Sequence, residues 1–200
     1  LLPRIAKRSA AAEELRRLPD ETVAELDEVG FFKLLQPEQW GGLQCDPTQF
    51  FEAVRRIASA CGSTGWVSSI LGVHNWHLAL FDQQAQDDVW GDDPTVRVSS
   101  SYAPMGAGTV VDGGYLVSGA WQWSSGCDHA TWAFLGGPVI KDGKPVDPIK
   151  EFALEQGLPV YQPAHFKDQE SLDELAALNA DLMVMAFVNV FVPKAARDTP

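Results

Sequence analysis

Cationic side chains are scarce in this sequence: 15 Lys and Arg stand against 27 Asp and Glu, a net charge of −12. No basic run exceeds the pairs Arg16-Arg17 and Arg55-Arg56. A surface that tracks phosphates needs clustered cations to displace counterions, so nucleic acid and anionic membrane surfaces are excluded as partners. Long apolar runs are also missing. The longest, Leu182 to Val192, is broken by Asn189 and is too short to span a bilayer. No signal peptide is visible, and a start at Leu1 without methionine leaves an N-terminal piece to be expected upstream. Cysteine is sparse and odd in number: Cys45, Cys61 and Cys127 have neither metal-ligand spacing nor a pairing scheme. They read as reduced thiols of a cytoplasmic protein, with no metal site. Repeats and low-complexity tracts are absent.

What is present is ordinary for a globular chain, 46% hydrophobic and 21% charged. Over residues 1–92 the texture is helical. Asp20-Glu21 opens a helix with Val23, Leu26 and Val29 on one face, and Gly30 stops it. Asp46-Pro47 pairs a capping acceptor with a proline suited to the first helical position. The helix it opens is expected to turn Phe50, Phe51, Val54, Ile57 and Ala58 inward and Arg55 and Arg56 outward. Ser63-Thr64 then caps a helix that is apolar nearly all round, from Trp66 through His74 and His77 to Leu80, and so expected to be central. A shorter helix, Gln83 to Trp90, ends at Gly91.

Strand texture follows, over residues 93–147. Thr95 to Val98 alternates, and Thr109-Val110-Val111 and Tyr115-Leu116-Val117 flank Asp112-Gly113-Gly114 as a hairpin. Ala130 to Ile140 reads as one more strand, closed by the turn Lys141 to Lys144. Residues 148–200 shift to an α/β texture. A helix from Ile149 to Gln156 stops at Gly157, Val160-Tyr161 is a short strand, and Ser171 to Glu174 is a capping box. Leu182 to Val192 resembles a strand buried on both faces. The expected class is α+β: a helical domain, part of an antiparallel β domain, then a Rossmann-like fragment.

Four blocks carry a resemblance. They are Phe31-Phe32 through Trp40-Gly41-Gly42; Cys61 to Trp66 with His74-Asn75-Trp76-His77; Ser99 to Pro104; and Trp121 to His129. In this order and spacing they resemble the acyl-CoA dehydrogenase-like flavin-dependent monooxygenases, and within them the oxygenase components that ortho-hydroxylate a phenolic ring in bacterial steroid degradation. The resemblance implies reduced FMN or FAD supplied by a separate flavin reductase, O2, a phenolic substrate and a tetrameric homo-oligomer. It implies an apolar site with a hydrogen bond near flavin N5 and groups that orient the phenol.

By position in the blocks, Ser125 is implied near flavin N5. Ser100, Trp123 and Ser124 are implied as flavin contacts, Trp66 as a substrate wall, and His74 as a catalytic, substrate-bonding group. Each has a structural alternative: core packing for Trp66 and His74, turn formation for the serines. His77, His129 and the pairs Asp87-Asp88 and Asp92-Asp93 carry no assigned chemistry.

From Pro148 onward the resemblance changes. Pro148-Ile149-Lys150, Gly157 to Pro163 and Ala180 to Phe187, with Val192-Pro193, resemble an internal piece of a formyltransferase that uses 10-formyltetrahydrofolate. That family's catalytic Asn, His and Asp would lie beyond Pro200, and this segment takes the place of the long helical bundle expected to follow an oxygenase β domain. A composite chain joined near Asp147-Pro148 accounts for this more simply than an insertion. Three functions follow from the sequence: a flavin monooxygenase, a one-carbon transferase, or a non-catalytic binding module.

Overall fold

Asp46 opens the first long helix as expected, its carboxylate accepting from the backbone N–H of Thr48, with Pro47 in the first helical position. The computed structural model describes residues 1–163, 165–180 and 194–197. The chain divides into two compact units, Leu1–Val146 and Asp147–Pro200.

The first unit begins with α1 (Leu2–Lys7), α2 (Ser9–Leu15) and α3 (Asp20–Glu28). Gly30 follows α3 at φ +76°, a left-handed conformation that ends the helix. Two longer helices come next, α4 (Pro47–Ala60) and α5 (Gly62–Leu78), then α6 (Gln83–Trp90), capped by Asp82. Helix α5 starts earlier than the Ser63-Thr64 signal. Cys61 is extended, and the helical turn begins directly after it, leaving both hydroxyl residues inside the first turn.

Small residues set how closely α4 and α5 pack. A Cβ on Gly65 would lie 2.5 Å from the Ala58 Cβ, and one on Gly72 would lie 2.6 Å from the Phe50 ring. The buried side of α5 is accordingly small and polar, with Thr64, Ser68, His74 and Asn75 beside Leu71 and Leu78. Most of its polar groups are satisfied at hand: Ser68 Oγ donates to the Thr64 carbonyl, and Asn75 Nδ2 donates to the Phe32 carbonyl, while Asn75 Oδ1 is buried without a partner. Trp66 and Trp76 point outward, 61% and 48% exposed. The expectation of a helix buried on all sides is corrected, because only a narrow stripe lets the two backbones approach. On α4 the buried residues are Phe50 and Ile57, whereas Phe51 and Ala58 are exposed and Arg55 and Arg56 pair with Glu52. The core joins Leu26, Phe31, Phe32, Phe50, Ile57 and Leu71.

Six strands follow: β1 (Val98–Ser101), β2 (Gly106–Val111), β3 (Gly114–Gly119), β4 (Trp132–Leu135), β5 (Val139–Lys141) and β6 (Lys144–Val146). The expected hairpin is β2–β3, turning at Gly113 with φ +77°, and β5–β6 turns at Asp142 and Gly143, both at positive φ. The pairing is mixed: β2–β3 and β5–β6 are antiparallel, but two other pairs are parallel. β1 runs parallel to β4, and β2 runs parallel to β5 within the order β3-β2-β5-β6. The cause is a break in the strand read from Ala130 to Ile140. At Gly136 and Gly137 an added Cβ would lie 2.0 Å from the Tyr102 carbonyl and 2.4 Å from that of Gly106, so the chain passes between the sheets there. Thr95 is not a strand residue, since its N–H and hydroxyl both bond Asp93 in a turn.

In the second unit α7 spans Pro148–Glu155 under an Asp147 cap, and α8 spans Gln169–Ala177. The α8 cap is Asp168, which accepts from the Ser171 N–H, so the helix opens before the Ser171 capping box. A short α9 covers Lys194–Arg197. Val160-Tyr161 forms no strand, and no strand exists among the described residues of this unit. A strand leaves its N–H and C=O groups unpaired unless a neighbour exists, and the described residues supply none. The run Leu182 to Val192 lies outside the described residues. Among those described, no helix is long and apolar enough to cross a membrane.

His74 ties α5 to β1. It is 2% exposed, and its Nδ1–H donates to the Val98 carbonyl at 2.8 Å. Burial pushes its pKa below the usual histidine value, against the opposing effect of the Val98 bond. A depressed folded pKa means the unfolded chain takes up a proton first as pH falls. His74 therefore contributes stability above about pH 6.5 that is lost as pH falls from there toward its folded pKa. Urea midpoints measured from pH 7.5 down to 5 are expected to show this loss, with a shallower slope in His74→Asn, which keeps a donor to Val98 but cannot titrate. An unchanged slope would show that His74 is not the group responsible. In the same assay Leu71→Ala, at a fully buried position, is expected to cost about 2–5 kcal/mol. Leu116→Ala, at an exposed one, should stay within about 0.5 kcal/mol.

Candidate functional site

Helix α5 carries Trp66 and Ile70 on its outer face, and this face meets two segments of the β region. One is β1 with the residues after it; the other is the loop 121–126 between β3 and β4. Together they enclose a cavity of about 270 Å³, bordered by Trp66 and Ile70, by Ser100 to Ala103, and by Gln122, Trp123 and Ser125. The Trp66 indole Nε1–H donates to Ser125 Oγ at 3.0 Å, across 59 residues of sequence.

Short polar side chains hold the loop in place. Ser101 Oγ donates to the Gln122 carbonyl, and the Ser124 and Ser99 hydroxyls bond at 3.0 Å. β1 is buried along its whole length, and its row of serines allows this because each hydroxyl has a partner close by. At the loop's far end Gly126 adopts φ +83° against Leu71, where a Cβ would approach the leucine side chain to 2.9 Å. Trp123 adopts φ +60° and is 92% exposed at the cavity rim. A bulky residue in the left-handed region is uncommon and is kept only where the surrounding chain enforces it.

Of the residues singled out from sequence, Trp66, Ser100, Trp123 and Ser125 line this cavity. Ser124 and His74 do not. Ser124 turns to Ser99, and His74 lies behind the wall, its ring edge-on to Tyr102 and Phe134. His74 is buried and its Nδ1–H is committed to Val98, so it packs behind the residues that line the cavity. Tyr102 is the cavity residue that sequence reading passes over. Its hydroxyl lies 2.7 Å from His77 Nδ1, and His77 is one of the residues given no chemistry. The available signal is the three-residue spacing of His74 and His77, which puts both on one helix face.

The walls are mostly apolar with a few convergent hydroxyls, the pattern of a small-molecule site. Two indoles and the serine hydroxyls fit a flat aromatic ring with a polar edge. At about 270 Å³ the cavity lies just below the roughly 300–1,000 Å³ of most such sites. A larger concavity of about 440 Å³ lies between β2, β3 and β4, but its lining holds no His, Cys, Asp, Glu, Lys or Arg. Among the described residues no cluster of His, Cys, Asp or Glu could hold a metal ion.

Residues 3–91 match the acyl-CoA dehydrogenase N-terminal domain. The oxygenase subunit HsaA of a flavin-dependent monooxygenase from Mycobacterium tuberculosis is 78% identical over 147 residues, 74% of this chain and 37% of that one. Its crystal structure aligns with a TM-score of 0.72 over 74% of this chain and 39% of the other. The Rhodococcus jostii subunit is 74% identical over 147 residues, covering 74% of this chain and 38% of its own length. XiaF from a Streptomyces species, crystallised with FADH2 and glycerol, is 33% identical with a TM-score of 0.68 over 72% of this chain and 37% of its own. The chain thus spans under two fifths of the length of these curated relatives. These matches lend no support to a formyltransferase resemblance in residues 148–200. Over the matched 147 residues the chain is thus similar to the front part of the oxygenase subunits of flavin-dependent monooxygenases, and residues 3–91 match the acyl-CoA dehydrogenase N-terminal domain.

Proposed function

We propose that the first unit is the front part of the oxygenase component of a two-component flavin monooxygenase that ortho-hydroxylates a phenolic, steroid-derived substrate. The observation that carries this is the Trp66–Ser125 hydrogen bond, which closes two distant sequence blocks round one apolar cavity. The name of a solved relative from Rhodococcus, 3-HSA hydroxylase, and the FADH2 bound to XiaF agree with it. Residues 1–92 serve as the helical domain and 93–147 as part of the β domain. A homotetramer is part of the proposal for the whole protein.

Reduced flavin, FMN or FAD, would supply the activation of O2. Ser125 and Ser100 would bond its polar edge, and Trp123 would cover a ring face. Ser124 supports that loop through Ser99. Trp66 orients Ser125 and forms the apolar wall that excludes water, which strengthens every polar contact inside. His74 keeps β1 and Tyr102 in register from behind. The word subunit in the relatives' names fits a separate flavin reductase in a cytoplasmic setting. Residues 148–200 are left outside this reading, since no described feature of theirs favours one-carbon transfer.

Anaerobic titration of the chain with photoreduced FMN and FAD tests the proposal, read by quenching of tryptophan fluorescence. Saturable quenching is expected, with Ser125→Ala weakening affinity roughly three- to tenfold, the effect of one hydrogen bond. No saturation with either flavin would overturn it. Saturation with no hydroxylated product, when reductase, phenol and O2 are supplied, would leave the chain a binding module.

A further inference from the structure

Tyr102 and His77 form a pair that the cavity described above does not explain. Tyr102 follows β1 and is one of the residues that line the cavity. Its hydroxyl is also 2.7 Å from His77 Nδ1. His77 lies one turn of α5 beyond His74 and is only partly buried. It is walled by aromatic rings: Phe134 at 4.8 Å, Phe81 at 5.5 Å and Tyr102 at 5.7 Å between centroids. The pair therefore joins the cavity wall to a partly exposed imidazole through one short hydrogen bond.

We propose that Tyr102 and His77 form a proton relay leading out of the cavity, with Tyr102 the group that touches the hydroxyl of a bound phenol. This rests on the reading of the cavity as a phenol site. The phenol gives its proton to Tyr102 Oη as Tyr102 gives its own to His77 Nδ1. One O–H bond is broken and one formed at tyrosine, which ends neutral; the ligand becomes a phenolate and His77 an imidazolium. His77 then releases a proton to solvent from Nε2 and is left protonated on Nδ1. When the hydroxylated product is reprotonated, that proton returns through Tyr102 Oη and His77 takes up another from solvent at Nε2, which restores the starting tautomer. Ionising the phenol raises electron density on its ortho carbons, where an electrophilic oxygen attacks.

The surroundings suit such a transfer. Burial holds the Tyr102 phenol above its usual pKa, opposed only by the Ser100 hydroxyl, so it stays protonated between turnovers. Burial lowers His77, so it returns its proton readily. The titratable groups facing His77 are His74 on α5 and Tyr102, while Phe134 and Phe81 complete its walls. No carboxylate or cationic side chain contributes to either shift.

Two measurements on the whole chain decide it. The first is ¹⁵N NMR of the histidines. His77 must hold its proton on Nε2 and accept at Nδ1, and Tyr102→Phe should return it to a mixture of tautomers. A proton on His77 Nδ1 in the unaltered chain would overturn the relay, whatever binds in the cavity. The second uses 4-nitrophenol, whose ionisation is visible by absorbance. Bound to the chain it should ionise about one pH unit lower than in solution, as one charge-assisted hydrogen bond to phenolate would produce. Tyr102→Phe should abolish that shift, and His77→Gln should reduce it. An equal shift in Tyr102→Phe would refute the proposal. Failure of 4-nitrophenol to bind would instead count against the phenol-site reading, with the tautomer still deciding the relay. Circular dichroism of each variant confirms that it is folded.

Discussion

The close approach of α5 to α4 is the constraint on which the site depends. Gly65 against Ala58 and Gly72 against Phe50 leave no room for a side chain. Once these small residues face inward, the period of the helix sends Trp66 to the opposite side. Large apolar groups on that side cannot enter the helical core, so they border the cavity. A larger residue at Gly72 would push α5 away from Phe50 and move Trp66 and Ser125 apart, since both are placed through this helix.

β1 transmits that placement to the loop. It is wholly buried, yet three of its four residues are serines. Hydroxyls are tolerated in that position because each finds a partner within its own reach: Ser99 meets Ser124, and Ser101 meets the Gln122 carbonyl. The same strand accepts the His74 bond at Val98. One short strand thus fixes the cavity wall, the loop that carries Ser125, and the buried imidazole behind them. Four aromatic or imidazole rings, of His74, His77, Tyr102 and Phe134, fill the space between α5 and the sheet.

Much of this is legible in the sequence, and particular residues show why the rest is not. Asp46-Pro47 and Gly30 signal helix ends through local hydrogen bonding and backbone freedom, which the chain expresses on its own. The strand from Ala130 to Ile140 reads as continuous because Gly136 and Gly137 are needed for close approach to Tyr102 and Gly106, neighbours that sequence does not reveal. Trp66, Ser100 and Ser125 are marked by their blocks. Tyr102 and His77 escape a linear reading because their importance lies in a single contact between separate elements.

The sequence by itself determined the helical and strand textures, the caps and turns, and the family blocks, because each depends on residues within a few positions of one another. Only the tertiary structure decided which strands run parallel, which face of α5 is buried, and that His74 stands behind the cavity while Tyr102 stands in its wall. Those outcomes are settled by which backbones can approach closely and which buried polar groups find partners. Both conditions are met by residues far apart in the chain, as the Trp66–Ser125 bond across 59 positions shows.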